Sequence, residues 1–286
     1  MFFTAQRVAA LGVTALCGLT GRRPIVRAAR FVLHRARRDV PNDPAANGEY
    51  ALQRWVLATI PVAAPPVVFD VGAHVGTWSR RLLDLAHRTG HRPSLHAFEP
   101  ASETHRLLAA NLPGSARVNR LAVSDAPGEV TLHVVAPGAG RNSLHRLDHA
   151  PARVEPVPAT TVDAYAGGAG IDGIDLLKID AEGHDLPVLR GARGLFAARA
   201  VSVAQFEYNH LWVHSRHYLK DAFDLLRPLG YRIGKLTPRG IEWYPGWDPV
   251  LETFVEGNYV ACVEELAGRL PSVRWWKGGA APCTSG

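Results

Sequence analysis

Cysteine is scarce in this sequence: Cys17, Cys262 and Cys283 are an odd number with no metal-ligand spacing. That argues against a disulfide framework or a cysteine-rich zinc site and points to a reducing compartment. Long apolar runs are missing too. The longest near the start lies between Arg7 and Arg22, shorter than the ~20 residues a spanning helix needs. It has the length of a signal-peptide core, but no Ala-x-Ala site follows, and Thr14-Ala15-Leu16 before Cys17 makes a poor lipoprotein site. The expected location is cytoplasmic. Acid is absent from residues 1–38, which hold eight arginines (Arg7, Arg22, Arg23, Arg27, Arg30, Arg35, Arg37, Arg38). The whole chain carries +6, so residues 39–286 carry a net −2. Basicity therefore belongs to an N-terminal arm, and an acidic body disfavours a phosphate backbone, so no nucleic-acid partner is expected.

What is present is a chain of 286 residues, 47% apolar, long enough to bury a substantial core. Ile25, Val26, Ala29, Val32, Leu33 and Ala36 fall on one helical arc, with Arg23, Arg27, Arg30, His34, Arg37 and Arg38 roughly opposite. Such a basic amphipathic helix contacts an anionic membrane surface or an acidic partner through residues 22–38, the chain then being membrane-associated at the inner surface. Alternatively it packs on the body and leaves its arginines in water. Pro41-Asn42-Asp43-Pro44 breaks it, and Tyr50–Ile60 reads as a further helix.

Beyond Ala64-Pro65-Pro66, apolar strands alternate with helices. Strands are expected at Val67–Val71, Leu95–Phe98, Val118–Val123, Ile174–Ile179 and Val201–Phe206, with closing strands at Tyr231–Leu236 and Tyr259–Val263. Helices are expected at Thr77–His87, Ser102–Leu112, Leu186–Phe196 and Leu219–Leu229. Gly128–Val135 alternates like a half-exposed hairpin strand, a Gly/Pro-rich loop follows at 136–141, and a short segment lies around Val157–Val162. This pattern specifies an α/β, mostly parallel, doubly wound sheet. The division expected is a helical arm at 1–45, one domain at 46–276 and a disordered tail at 277–286.

The sharpest segment, Val67-Val-Phe-Asp-Val-Gly-Ala-His-Val-Gly76, runs from strand through glycine turn into helix. In such sheets ligands bind at the carboxyl ends of the strands. Gly72 and Gly76 let the backbone approach a ligand, although a plain tight turn would use them as well. Their four-residue spacing, with His74 between, does not fit a dinucleotide fingerprint, which disfavours a nicotinamide-dependent dehydrogenase. Asp70 suits the ammonium of a methionine-like moiety better than a pyrophosphate. Glu99, 27 residues after Gly72 and followed by Pro100, stands where an acid accepts hydrogen bonds from ribose hydroxyls. Ser124-Asp125 falls where an adenine amino group is read, or is a turn-forming pair.

Lys178 and Asp180 are two apart on the fourth core strand, so both point to one face. A lysine inside an apolar strand needs a partner, and Asp180 is one candidate. Asp180 and Glu182 would face the cleft, as catalytic acids or as an ion pair and a helix-start acid. Gln205-Phe-Glu-Tyr-Asn-His210 closes the fifth strand. Glu207 and His210 are candidate proton acceptors. His210 and His214 have the i, i+4 spacing of metal ligands, but polar residues rimming a cleft account for them better, and no metal is expected.

Asp70–Gly76, Phe98-Glu-Pro100, Ala122-Val-Ser-Asp125, Thr161-Val-Asp163, Ile174–Gly183, Gln205-Phe-Glu207 and Gly257-Asn-Tyr-Val260 occur in this order. Together they resemble the FkbM family of S-adenosylmethionine-dependent methyltransferases over about residues 65–263, most specifically in Lys178-Ile-Asp-Ala-Glu-Gly183. The resemblance implies the Rossmann-like class I methyltransferase fold with a seven-stranded sheet, S-adenosylmethionine as cofactor, and O-methylation of a hydroxyl on a sugar or secondary metabolite. By position, Asp70, Gly72 and Gly76 would line the methionine end, Glu99 would hold the ribose, and Ser124 and Asp125 would lie near the adenine. Ala73, His74, Pro100 and Asp180 complete the implied cofactor set. The family usually has Asn where His74 stands and Glu where Asp185 stands. The arm lies outside the match.

Transfer of a methyl group to an alcohol needs the oxygen held in line, water excluded and a proton accepted. Asp180, Glu207 or His210 is the expected acceptor, with Lys178 or Glu182 shaping the field. The acceptor pocket is expected around residues 136–150 and 208–218 and the stretch Trp243–Trp247. Two rival readings are methylation of a protein or nucleic-acid nitrogen and an inactive, membrane-peripheral binding protein with the same fold. Nitrogen-directed enzymes of this fold tend to carry an Asn/Asp-Pro-Pro-aromatic run where this chain has Asp180-Ala-Glu-Gly.

Overall fold

The computed structural model describes residues 2–39, 43–135, 142–145 and 153–277. The chain divides into two units, residues 1–41 and 42–286. In the first, α1 (Phe2–Thr20) and α2 (Arg22–Ala36) are separated by Gly21, whose φ of 80° ends the helical path. The basic helix expected over Ile25–Ala36 is thus the body of α2.

In the second unit α3 (Glu49–Leu57) precedes β1 (Val67–Val71), α4 (Thr77–Thr89), β2 (Ser94–Phe98), α5 (Ser102–Asn111), β3 (Arg117–Asn119) and β4 (Ala122–Val123). There follow β5 (Gly128–Val134), β6 (Arg153–Thr160), α6 (Val162–Ala169), β7 (Ile174–Ile179), α7 (Asp185–Gly191), α8 (Arg193–Ala197) and β8 (Val201–Tyr208). The chain continues through α9 (Leu219–Leu226), β9 (Tyr231–Thr237), β10 (Gly240–Tyr244), β11 (Gly257–Val263), α10 (Glu264–Ala267) and β12 (Ser272–Val273).

The main sheet has the order β12-β10-β9-β11-β8-β7-β1-β2-β3. From β8 to β3 all neighbours are parallel, and β11 runs antiparallel to both β8 and β9. The expected count of seven strands is therefore corrected to nine. Seven of them form the doubly wound part, and β10 and β12 extend its edge. β10 was missed because its Gly-Ile-Glu-Trp-Tyr segment follows a two-residue turn, Pro238-Arg239, and reads as an aromatic loop.

Side-chain alternation assigns each strand residue to one of two cores. Phe69, Val71, Leu177, Ile179, Ala204 and Phe206 pack with α6–α9 on one face. Val68, Leu95, Leu176, Val203 and Val260 pack with α3–α5 on the other. The expected strand over Val118–Val123 is split: β3 ends the main sheet, and β4 leaves it to join a separate sheet of order β4-β6-β5. The expected helix over Leu186–Phe196 is likewise two helices. Asp163 explains the second, since its carboxylate accepts from the N–H groups of Gly194 (2.7 Å) and Leu195 (3.0 Å) and caps α8. The expected loop at 136–141 and the tail after Lys277 lie outside the described residues.

Candidate active site

The winding of the sheet reverses between β1 and β7, and the chain leaves both strands there at their carboxyl ends. Gly72 follows β1 with φ of 73°, and a Cβ on it would lie 1.8 Å from the carbonyl oxygen of Asp180. Only glycine permits this approach. The N–H groups of Gly72 and Ala73 both donate to the Phe98 carbonyl at 3.0 Å, stitching the turn to the end of β2. Gly76, φ 85°, starts α4, and a Cβ there would press on Leu108. His74 holds φ of 50°, a left-handed conformation open to Asn and His at modest cost.

Under the turn lies Lys178, almost wholly buried. Its ammonium reaches Asp70 (3.3 Å), Asp180 (3.3 Å) and the carbonyl of Gly72 (3.3 Å). Burial works against its charge, but Asp70, Asp180 and Glu49 outweigh that and hold it above its ordinary value. Asp70 is fully buried, takes the Ser79 hydroxyl at 2.6 Å, and sits beneath the turn. Asp70 and Lys178 are thus a clamp that shapes the turn. Neither lines the cavity above, where a ligand ammonium or a reacting oxygen would stand.

That cavity, of about 250 Å³, is walled by Gly72, His74, Glu99, Pro100, Asp180 and Glu182 of the expected set. Leu121, Val123, Leu132 and Leu144 give it an apolar side, and Asn142 and His184 a polar one. Glu99 accepts from the N–H groups of His74 (3.1 Å) and Ala101 (2.9 Å), which fix its carboxylate. Burial pushes its pKa up to about 7 against the pull of those two donors. Glu182, at φ of 50°, is pushed up to about 8 by burial and by Asp180 and Asp185. Asp185, fully buried, is pushed up to about 7 by burial and then by Asp180.

The remaining expected residues are placed elsewhere. Ala73 is buried within the turn, and Gly76 is spent on the helix start. Ser124 bonds His184 (2.9 Å) and Asp125 (3.1 Å), and neither Ser124 nor Asp125 lines the cavity. Glu207 is buried off the cavity wall, where it accepts from Asn209 at 2.6 Å. Burial and the charges of Asp180 and Asp185 raise its pKa well above the carboxylate range. His210 is exposed on a short 3-10 turn away from the cavity. Trp243 and Trp247 do not line it either, because β10 carries Trp243 at the far edge of the sheet. No cluster able to hold a metal exists among the described residues.

Sequence reasoning missed His184 as a wall residue and reached Asn142 only within the expected pocket segment 136–150. His184 is pinned between Ser124 and His145 (3.1 Å), and burial and His145 lower its pKa to about 4, keeping it neutral. Its only signal was its place directly after the Ile174–Gly183 motif. Asn142 gave no signal of its own beyond that segment, since an isolated amide beside a Gly-rich run looks like a turn residue.

Residues 70–233 match the family model described as the methyltransferase FkbM domain. No curated protein matches the chain. Among solved structures, a methyltransferase FkbM from Methylobacillus flagellatus is similar at 14% identity and a TM-score of 0.42. The alignment covers 69% of this chain and 43% of that one, so this chain spans less than half of that protein's length. The plantazolicin methyltransferase BpumL, solved with SAH, gives 12% identity, 76% and 82% coverage and a TM-score of 0.37. A precorrin-6y C5,15-methyltransferase from Geobacter metallireducens gives 12% identity, 74% and 88% coverage and 0.36. The family is carried by the match over residues 70–233, more than half of the chain.

Proposed function

Because the chain belongs to the FkbM family of methyltransferases, whose cofactor is S-adenosylmethionine, we propose that it methylates a hydroxyl oxygen of a sugar or secondary metabolite. The observation that carries this reading is the cavity at the β1/β7 switch, where the Gly72 turn, Glu99, Asp180 and Glu182 meet. The site fits the cofactor. A Cβ on Gly72 would fill the approach over Asp180, and the Glu99 carboxylate keeps lone pairs free beyond its two backbone donors. Gly72, His74 and Pro100 would border the bound cofactor, Glu99 would accept from its ribose hydroxyls, and Leu121, Val123 and Leu132 offer an apolar wall for a base. When bound, the cofactor supplies a methyl group activated by sulfonium.

The chain's own work is positioning, drying the site and taking a proton. Glu182 is the acceptor in this proposal. It lines the cavity, and burial makes it a stronger base than a free carboxylate. Asp180, tied to Lys178, stays as the neighbouring charge that keeps Glu182 basic. Glu207 and His210 drop out, since neither reaches the cavity.

The test is transfer of labelled methyl to hydroxylated acceptors, with thermal shift by S-adenosylhomocysteine as the binding control. Glu182→Gln is expected to lower turnover by about 10²–10⁴-fold while the thermal shift stays. Since the base must be ionised, wild-type turnover should climb with pH and level off above about 8. Product labelled on nitrogen, or full turnover in Glu182→Gln, would sink the proposal.

A further inference from the structure

The reaction makes no use of α1 and α2. In α1, Val8, Leu11, Leu16 and Leu19 stand in water, Leu11 exposed by 70% and Leu19 by 85%. None of the residues of α2 is buried, and Val26, Val32 and Leu33, which share one arc, are each more than half exposed. Arg23, Arg27 and Arg30 occupy the opposite arc of the same helix. So much exposed apolar surface calls for an apolar phase, and the arginine stripe beside it calls for anions.

We propose that α1 and α2 form one docking surface for an anionic lipid bilayer, lying among the headgroups without crossing. Charge favours this occupant. Residues 1–41 hold eight arginines and one carboxylate, Asp39, which His34 engages at 2.8 Å and Arg37 at 3.7 Å. A nucleic acid would match the charge but offers no apolar depth for Leu11 and Leu19. A second copy of the arm would cover the apolar arcs but set eight arginines against eight. No described helix is long and apolar enough to cross a membrane, so the apolar side chains enter the headgroup boundary while the arginines hold the anionic surface. This goes beyond the expectation for residues 22–38, because α1 supplies the larger share of the exposed leucines.

The experiment is co-sedimentation of the full chain with vesicles of phosphatidylcholine alone or of equimolar phosphatidylcholine and phosphatidylglycerol. Binding is expected to the second and not the first. The triple variant Arg23→Glu, Arg27→Glu, Arg30→Glu should lose on the order of 100-fold or more in affinity. Leu11→Ser with Leu19→Ser should lose on the order of tenfold or more at low salt. Thermal shift by S-adenosylhomocysteine should be unchanged in both variants, showing an intact body. The proposal is overturned by absence of binding to the anionic vesicles or by wild-type binding in the leucine variant. Self-association through the arm without vesicle binding would overturn it too.

Discussion

Lys178 shows how much one residue decides here. A lysine in a buried strand costs free energy unless its charge is met, and this one meets Asp70, Asp180 and the Gly72 carbonyl at once. Lys178→Met should destabilise the fold by about 3–5 kcal/mol in urea unfolding, because it leaves Asp70 buried without its cation. Lys178→Met with Asp70→Asn should recover much of that loss; no recovery would mean the pair is not the source. Glu99 carries a different prediction. Its pKa is raised to about 7, and a ligand hydroxyl favours the ionised form, so binding releases a proton. Affinity for S-adenosylhomocysteine should therefore fall as pH drops through 7, roughly tenfold weaker at pH 6 than at pH 8. Calorimetry at the two pH values checks this, and Glu99→Gln should flatten the difference.

Among the elements, the row formed by Asp70, Lys178 and Gln205 is instructive. Register aligns these residues on the adjacent strands β1, β7 and β8, on the face that carries α3 and α4. α3 completes the row: Glu49 accepts from Gln205 (3.0 Å), Asn258 (3.2 Å) and Asn47 (2.6 Å). Its carboxyl pKa is raised by burial, against the pull of Lys178. A helix outside the alternating strand–helix pattern is thereby fastened beneath the site. Glu49→Ala would take this acceptor from the buried amides of Asn47 and Asn258, while Gln205 keeps Asn258 (2.9 Å), and should cost about 2–3 kcal/mol, read by urea unfolding. Local sequence made α3 legible as a helix but not as a support, since its partners lie 156 and 209 residues away. The Thr161-Val-Asp163 motif was legible only in part for the same reason. Thr161 caps its own helix α6, and Asp163 caps α8, 31 residues on.

Among the described residues of the whole molecule, the buried apolar core is drawn from residues 52–270, so the second unit carries its own core. Removing residues 1–41 should lower the isoelectric point and leave the thermal shift by S-adenosylhomocysteine unchanged; loss of that shift would contradict an autonomous body. At this scale the order of residues was enough to give the alternation of apolar strands and helices, the glycine turn after β1, the acid after β2 and the confinement of basic charge to the arm. Each of these is a matter of local pattern: periodicity, steric freedom at a turn, and charge counted along the chain. Which acids face the cavity followed only from the packed fold. Asp70 went under the turn and Glu207 off the wall, while His184 and Asn142 came in. Those outcomes depend on strand register and on which face of the sheet a side chain meets, and both are set by partners distant in sequence. Lys178 and Gly72, which together shape the site, are 106 residues apart.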